Sequence, residues 1–368
     1  MRGLGRGAGG EAGWASPAWG RRFPIKGEAA GLRSRDRRVM NTREVQTSGV
    51  ADAKRPSPSR PGAGRRILRA VAVVATVPYV GLKTAWLAGS HLGIPEGSVL
   101  REPGPFFLAA NSITLAMDAC VILLALLLTR PWGIRVPGWL LTVPVFVATG
   151  LLTPIFFAFP GQLLVRAVGF GSDPVVEAAR EPFLDSWVFM VVYTGFMVQG
   201  LALAGLFVPY ARERWGQRWQ GVTGKRLPPS TGVVAAAAAA VGLAVAVVYG
   251  YWTFGGTAGL GAGTADQSVD RAVVTAVDAM CALVAGAGAL LLARGGTIPA
   301  RWPLGLAWIG GAATLSWGAW MTIAALGPQL DGGEGPSAAT LLIYAGQMIT
   351  GLLAGTVLLR FLTARRPA

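Results

Sequence analysis

Apolar positions run through the chain in long blocks separated by short polar stretches. Eight blocks, at about 67–89, 106–129, 138–159, 187–209, 232–254, 272–293, 303–326 and 339–361, are each close to the ~20 residues that a helix needs to cross the hydrocarbon core. Lipid offers backbone amides no partner, so each block is expected to be a helix that satisfies its own hydrogen bonds. The expected fold class is an all-α membrane protein of eight transmembrane helices.

The polar stretches carry a sidedness signal. Segments 130–137, 210–230, 294–302 and the end from Arg360 hold 12 Lys/Arg and one acid, Glu213. The alternate segments 90–105, 160–186, 255–271 and 328–338 hold 4 Lys/Arg and 10 acids. Basic loops stay in the cytoplasm, which predicts both termini there and a bacterial cytoplasmic membrane as the location. Trp86, Trp187, Trp252 and Trp302 fall near predicted boundaries, as interfacial aromatics do. "GQLLVRAVG", after the third block, reads as a short amphipathic helix on the membrane surface. The acids that follow it, Asp173, Glu177, Glu181 and Asp185, read as a solvated acidic loop rather than a cation site.

The blocks repeat in order. Tyr193, Gly195, Met197 and Gly200 match Tyr344, Gly346, Met348 and Gly351 at one constant offset. "LAMDAC" in block two matches "TAVDAMC" in block six, and "FPGQL" after block three matches "LGPQL" after block seven. "VPYVGLKTAW" aligns loosely with "VVYGYWTFGG". The expectation is a 4+4 internal duplication whose halves share one orientation, as in parallel-repeat transporters. The domain plan is a disordered basic tail 1–65, a first repeat 66–215, a basic linker 216–230 and a second repeat 231–368.

Composition agrees with a membrane protein and narrows its chemistry. The 368 residues are 52% hydrophobic and 14% charged, with mean hydropathy +0.49, against about 25% charged for a soluble domain. The net charge of +15 does not indicate nucleic acid, because residues 1–69 alone hold 16 Lys/Arg against 5 acids and the rest follows the loops. That Gly-, Arg-, Pro- and Ser-rich tail has no apolar period and no signal-peptide core. Met40 opens "MNTREVQTSGV" like an ordinary bacterial start, with residues 1–39 read as translated upstream DNA; a cell-derived peptide from before Met40 would refute this hypothesis.

Cys120 and Cys281 lie in apolar blocks, and the single His91 lies in a loop, so no disulfide, metal set or haem site is expected. No Walker A, GxSxG or HExxH occurs, and Gly259, Gly261 and Gly263 follow no strand, which rejects a dinucleotide fingerprint. No catalytic residue and no cofactor is predicted.

What remains is a set of polar groups inside apolar blocks. Asp118 lies near the middle of block two, where an Asp costs roughly 2.5–3.5 kcal/mol on insertion scales and normally faces the bundle interior. Asn111, Thr114 and Asp118 share one helix face. Arg271, Thr275 and Asp278 form the matching stripe of the second half. Lys83 either pairs with Asp118 on the neighbouring helix or makes a satisfied interhelical polar contact while snorkelling to the surface. Together these seven residues are the candidate ion- or substrate-binding set. Pro78, Pro144 and Pro154 kink helices of the first half only. Gly351 and Gly355 form a GxxxG packing motif, and Ala235–Ala240 a small-residue surface.

"PYVGLKTAWLAGSHLGIPEG", "NSITLAMDA" and "PVFVATGLLTPI" resemble stretches of uncharacterised multi-pass membrane proteins of actinobacteria. The resemblance covers roughly Pro78 to Leu152 and implies location and topology, with no catalytic residues to carry over. Three functions follow from the residues. The first is a small-solute or ion-coupled transporter or exporter with a polar site between the repeats. The second is a non-catalytic component of an envelope assembly. The third is a membrane-embedded enzyme acting on lipid or isoprenoid, which would require Asp118, Asp278 and Lys83 around one opening. The lipid bilayer and a small molecule or ion are the expected partners, with no nucleic acid.

Overall fold

The computed structural model describes residues 62–101, 104–170, 184–261, 268–326 and 335–365. Residues 1–61 of the basic tail, Asp173, Glu177 and Glu181 of the acidic loop, and the "GPQL" after the seventh block lie outside the described residues.

Each apolar block forms a helix. These are α1 Ala63–Leu87, α2 Pro105–Leu127, α3 Gly138–Ala167, α4 Ser186–Trp215, α5 Pro229–Thr253, α6 Val269–Arg294, α7 Arg301–Leu326 and α8 Ala338–Ala364. Seven are long and apolar enough to cross a membrane. The other is α7, equally long at 26 residues but carrying four Gly and four Trp in place of aliphatic side chains. The architecture is that of a multi-pass helical membrane protein.

Helix ends follow local chemistry. Pro105 and Pro229 occupy first-turn positions, where a missing N–H costs nothing. Ser268 caps α6 by accepting from the Arg271 amide at 3.3 Å, and Ser337 caps α8 by accepting from the Thr340 amide at 3.1 Å. The stretch "GQLLVRA" is not a separate surface helix. It continues α3 through Pro154 and Pro160. Its end is held against α6: Gln162 Nε2 donates to the Asp270 carbonyl at 3.2 Å, and Arg166 pairs with the Asp270 carboxylate.

Within each half the helices form a ring of neighbours. In the first, α1 packs on α2 and α4, and α3 on α4 and α2; in the second, α5 packs on α6 and α8, and α7 on α6 and α8. The halves meet where α3 packs on α7 and α6. Ala158 of α3 is buried there with Val277, Cys281 and Ala313. A Cβ on Gly150 would overlap the Ala312 carbonyl oxygen and Ser316 Oγ, so only glycine lets α3 approach α7 this closely. Within the second half, a Cβ on Gly351 would lie 2.6 Å from the Gly311 carbonyl oxygen. Gly355, its expected GxxxG partner, has open space at the same position. Of the alanine run, Ala235 and Ala238 are buried in the core of the second half.

On the basic face two connections pair as an antiparallel ribbon, β1 Val222–Gly224 with β2 Gly296–Pro299. Positive φ at Gly295 (70°) and Gly296 (119°) allows the chain to leave α6 directly into it. Arg365, just past α8, clamps the ribbon. Its guanidinium donates to the carbonyls of Arg218 (3.4 Å), Gln220 (3.3 Å), Thr223 (2.9 Å) and Val222, and lies over the Phe361 ring at 4.5 Å.

Two of the four expected interfacial tryptophans do a different job. Trp86 Nε1 donates to the Leu92 carbonyl at 2.8 Å, and Trp252 Nε1 to the Ala258 carbonyl at 3.1 Å. Both are buried, and each fastens the loop after the first helix of its half. Trp187 and Trp302 are exposed.

Candidate functional site

The candidate polar residues fall into two clusters, and the groups nearest each acid come from its own half. In the first half, α2 presents Asn111, Thr114 and Asp118 on one face, toward Tyr79 and Lys83 of α1. Lys83, Asn111 and Asp118 are all buried, at 6%, 6% and 4% exposure. Lys83 Nζ donates to Asn111 Oδ1 at 3.0 Å and lies 4.6 Å from the centre of the Tyr79 ring. Asn111 Nδ2 in turn donates to the Phe107 carbonyl at 2.9 Å.

The expected contact ion pair between Lys83 and Asp118 is therefore not formed, nor does Lys83 snorkel to the surface. Its ammonium is held by a neutral amide about two helical turns along α2 from Asp118, near enough for the two charges to act on each other. Asp118 Oδ2 is buried with no hydrogen-bond partner. Thr114 Oγ1 donates back along its own helix to the Ala110 (2.8 Å) and Asn111 (3.1 Å) carbonyls, on the face turned to Tyr79. Tyr193 of α4 lies close to Tyr79 and completes the cluster.

In the second half Asp278 is 5% exposed and Thr275 7%. Thr275 Oγ1 meets Thr253 Oγ1 of α5 at 2.9 Å, which ties α6 to α5. Tyr249 of α5, Tyr344 of α8 and Cys281 lie within electrostatic reach of Asp278. Arg271 lies nearer the helix start, beside Tyr344. One helical turn beyond Tyr344, Gln347 is 1% exposed and its Oε1 has no partner.

Each acid is thus attended by tyrosines. In the first half Tyr79 lies near Asp118, with Tyr193 near Tyr79; in the second Tyr249 and Tyr344 lie near Asp278. The tyrosines are absent from the predicted set, although the sequence carried their signal. Tyr193 and Tyr344 fall at the constant repeat offset, and Tyr79 and Tyr249 occupy the same place in the loosely aligned segments.

Among the described residues no group of three or more His, Cys, Asp or Glu could hold a metal ion. The site offers one ammonium, one amide and one carboxylate, with hydroxyls around them. Such groups bind a small polar solute or an ion, or exchange a proton. They contain no activated nucleophile.

No protein-family model, no curated protein and no solved structure matches the chain.

Proposed function

We propose that the protein moves a small solute or an ion across the bacterial cytoplasmic membrane, with Asp118 as the binding or coupling group. The observation that carries this reading is the orphaned Asp118 Oδ2. A buried carboxylate oxygen with no partner is costly, and intramembrane acids of this kind mark ion and substrate paths. The chain is read as two parallel four-helix repeats, all eight long helices crossing the membrane, with the basic face and both termini cytoplasmic. The matched ring packing, the paired Tyr and Asp positions, and the Trp86 and Trp252 anchors support the duplication. Under this reading there are two polar sites, one in each half, rather than one between them.

Proteoliposomes test it. Under an imposed membrane potential, the wild-type protein should dissipate a proton or sodium gradient faster than empty vesicles do. Asp118→Asn should abolish the difference at equal reconstituted amount. Equal flux in the variant would remove Asp118 from the mechanism, and no flux above empty vesicles for either ion would remove ion coupling.

A second reading, a non-catalytic membrane component, is favoured by the tightly closed second half. There Gly242, Gly288, Gly310 and Gly351 each press on the backbone of a neighbouring helix. The enzyme reading would need Asp118, Asp278 and Lys83 to line one opening.

A further inference from the structure

Away from both polar clusters, the halves leave a cleft of about 1690 Å³ on the basic side of the molecule. That exceeds the roughly 300–1,000 Å³ of ordinary small-molecule sites. One wall is α3 and α4, including Leu152, Ala204 and Phe207; the other is α7 and α8, including Trp308, Leu358 and Leu362. Trp308 anchors the join. Its indole meets Phe146 edge-on at 5.0 Å and stacks near Phe207 at 6.0 Å, while its Nε1 donates to Thr149 Oγ1 at 3.4 Å.

The cleft changes character at its basic end, where Arg212, Arg214, Arg218 and Arg301 line it. Arg214 is already engaged. It donates to the Val136 carbonyl at 2.7 Å and to the Tyr210 hydroxyl, and lies over Trp215 at 5.3 Å. The guanidinium groups of Arg212, Arg218 and Arg301 make no hydrogen bond or ion pair with a described residue. Arg301 stacks on Trp302 at 5.5 Å. The backbone around Arg218 is fixed by the Arg365 clamp, and Arg301 follows a bond from the Ala300 amide to the Gly221 carbonyl at 2.9 Å. The three uncommitted cations therefore stand on a rigid rim.

We propose that this cleft holds an anionic phospholipid. Its acyl chains would lie along the α3–α4 and α7–α8 walls, and its phosphate among Arg212, Arg218 and Arg301. Apolar walls too wide for a small solute match acyl chains, and guanidinium groups grip phosphate oxygens in pairs. Tryptophans at the rim, Trp139, Trp215 and Trp219, suit the headgroup level. The inference is independent of the transport reading, because it uses neither acid cluster.

Native mass spectrometry of the detergent-purified full chain tests it, with phosphatidylglycerol and phosphatidylcholine of identical acyl chains as probes. Wild type should retain phosphatidylglycerol at a concentration about tenfold or more below that needed for phosphatidylcholine, given the headgroup attraction of three basic residues. Arg212→Gln/Arg218→Gln/Arg301→Gln should erase that preference. Arg130→Gln/Arg135→Gln, on the same face but outside the cleft, should keep it. Ala204→Trp, which fills the apolar wall and leaves every arginine in place, should lose both lipids. Retention of both by Ala204→Trp would place the lipid elsewhere. Equal retention of the two lipids by wild type would overturn the proposal, as would equal loss of preference in the two arginine variants. Displacement of phosphatidylglycerol by millimolar inorganic phosphate would also overturn it, since a free anion would then suffice.

Discussion

Lys83 Nζ lies 3.0 Å from Asn111 Oδ1, and this neutral amide, not a carboxylate, is what holds the buried ammonium. The arrangement leaves Asp118, about two helical turns further along α2, without a contact counter-ion among the described residues. Asn111 thus has a structural role as the sole hydrogen-bond acceptor recorded for the Lys83 side chain among the described residues.

Removing the acceptor should therefore cost more than removing the donor. Asn111→Leu leaves a buried charge unsatisfied, and hydrogen bonds to charged groups contribute about 1.5–3 kcal/mol. Lys83→Met removes the charge along with the need for a partner. The expected order of melting temperature in one detergent is wild type, then Lys83→Met, then Asn111→Leu, with Lys83→Met/Asn111→Leu recovering part of the loss. A double variant no better than Asn111→Leu would contradict it.

Asp118→Asn should leave stability within about 1 kcal/mol of wild type, because an amide of the same shape replaces a carboxylate whose Oδ2 has no partner to lose. Chemical-denaturant unfolding in mild detergent reads this directly. A large destabilisation would show Asp118 to be a structural group and would weaken the transport reading.

Gly150 and Gly355 should respond oppositely to alanine. At Gly150 the new methyl collides with the backbone of α7 and with Ser316, so the two halves cannot seat. Overpacking of this kind typically costs about 1–3 kcal/mol or more. At Gly355 the methyl meets nothing within 4 Å, and alanine favours a helix over glycine by about 1 kcal/mol. Thermal melts of the two variants should move in opposite directions; equal shifts would refute the α3–α7 approach.

Arg365→Ala should loosen the ribbon on the basic face. Amide hydrogen exchange of residues 218–224 should rise, while exchange in the α1–α2 loop stays unchanged. Arg365→Lys should not rescue it, because a single ammonium cannot reach four carbonyls that a planar guanidinium spans. Unaltered exchange in Arg365→Ala would show that β1 and β2 hold without the clamp.

The candidate site was legible in its acids and less so in its neighbours. Asp118 and Asp278 stood out because a charge in an apolar block has few explanations, and both prove buried. The tyrosines were passed over because Tyr is common in membrane helices and gives no charge signal, although the repeat offset placed them. Of the two readings for Lys83, the interhelical polar contact is the one formed: opposite charges suggest a pair, but Asn111 and Asp118, seven apart on one helix, are separated by roughly 10 Å along its axis, and the ammonium meets the amide. The cleft arginines read only as loop charge, because their shared lining joins residues of α4, the ribbon and α7.

Length and apolarity in the sequence were enough to determine that the helices exist and roughly where, since lipid leaves the backbone no alternative to satisfying itself locally; the end of α3 was missed by about a turn or more. The alternation of basic and acidic connections predicted the sidedness from the same strand of evidence. Tertiary structure alone decided which helix faces meet. Lipid and protein interiors are both apolar, so a membrane helix carries little periodic mark of its buried side. Close approach at Gly150, the Lys83–Asn111 bond, the Arg365 clamp and the arginine-rimmed cleft all arise from contacts between segments far apart in the chain, and each depends on how the packed helices are rotated against one another.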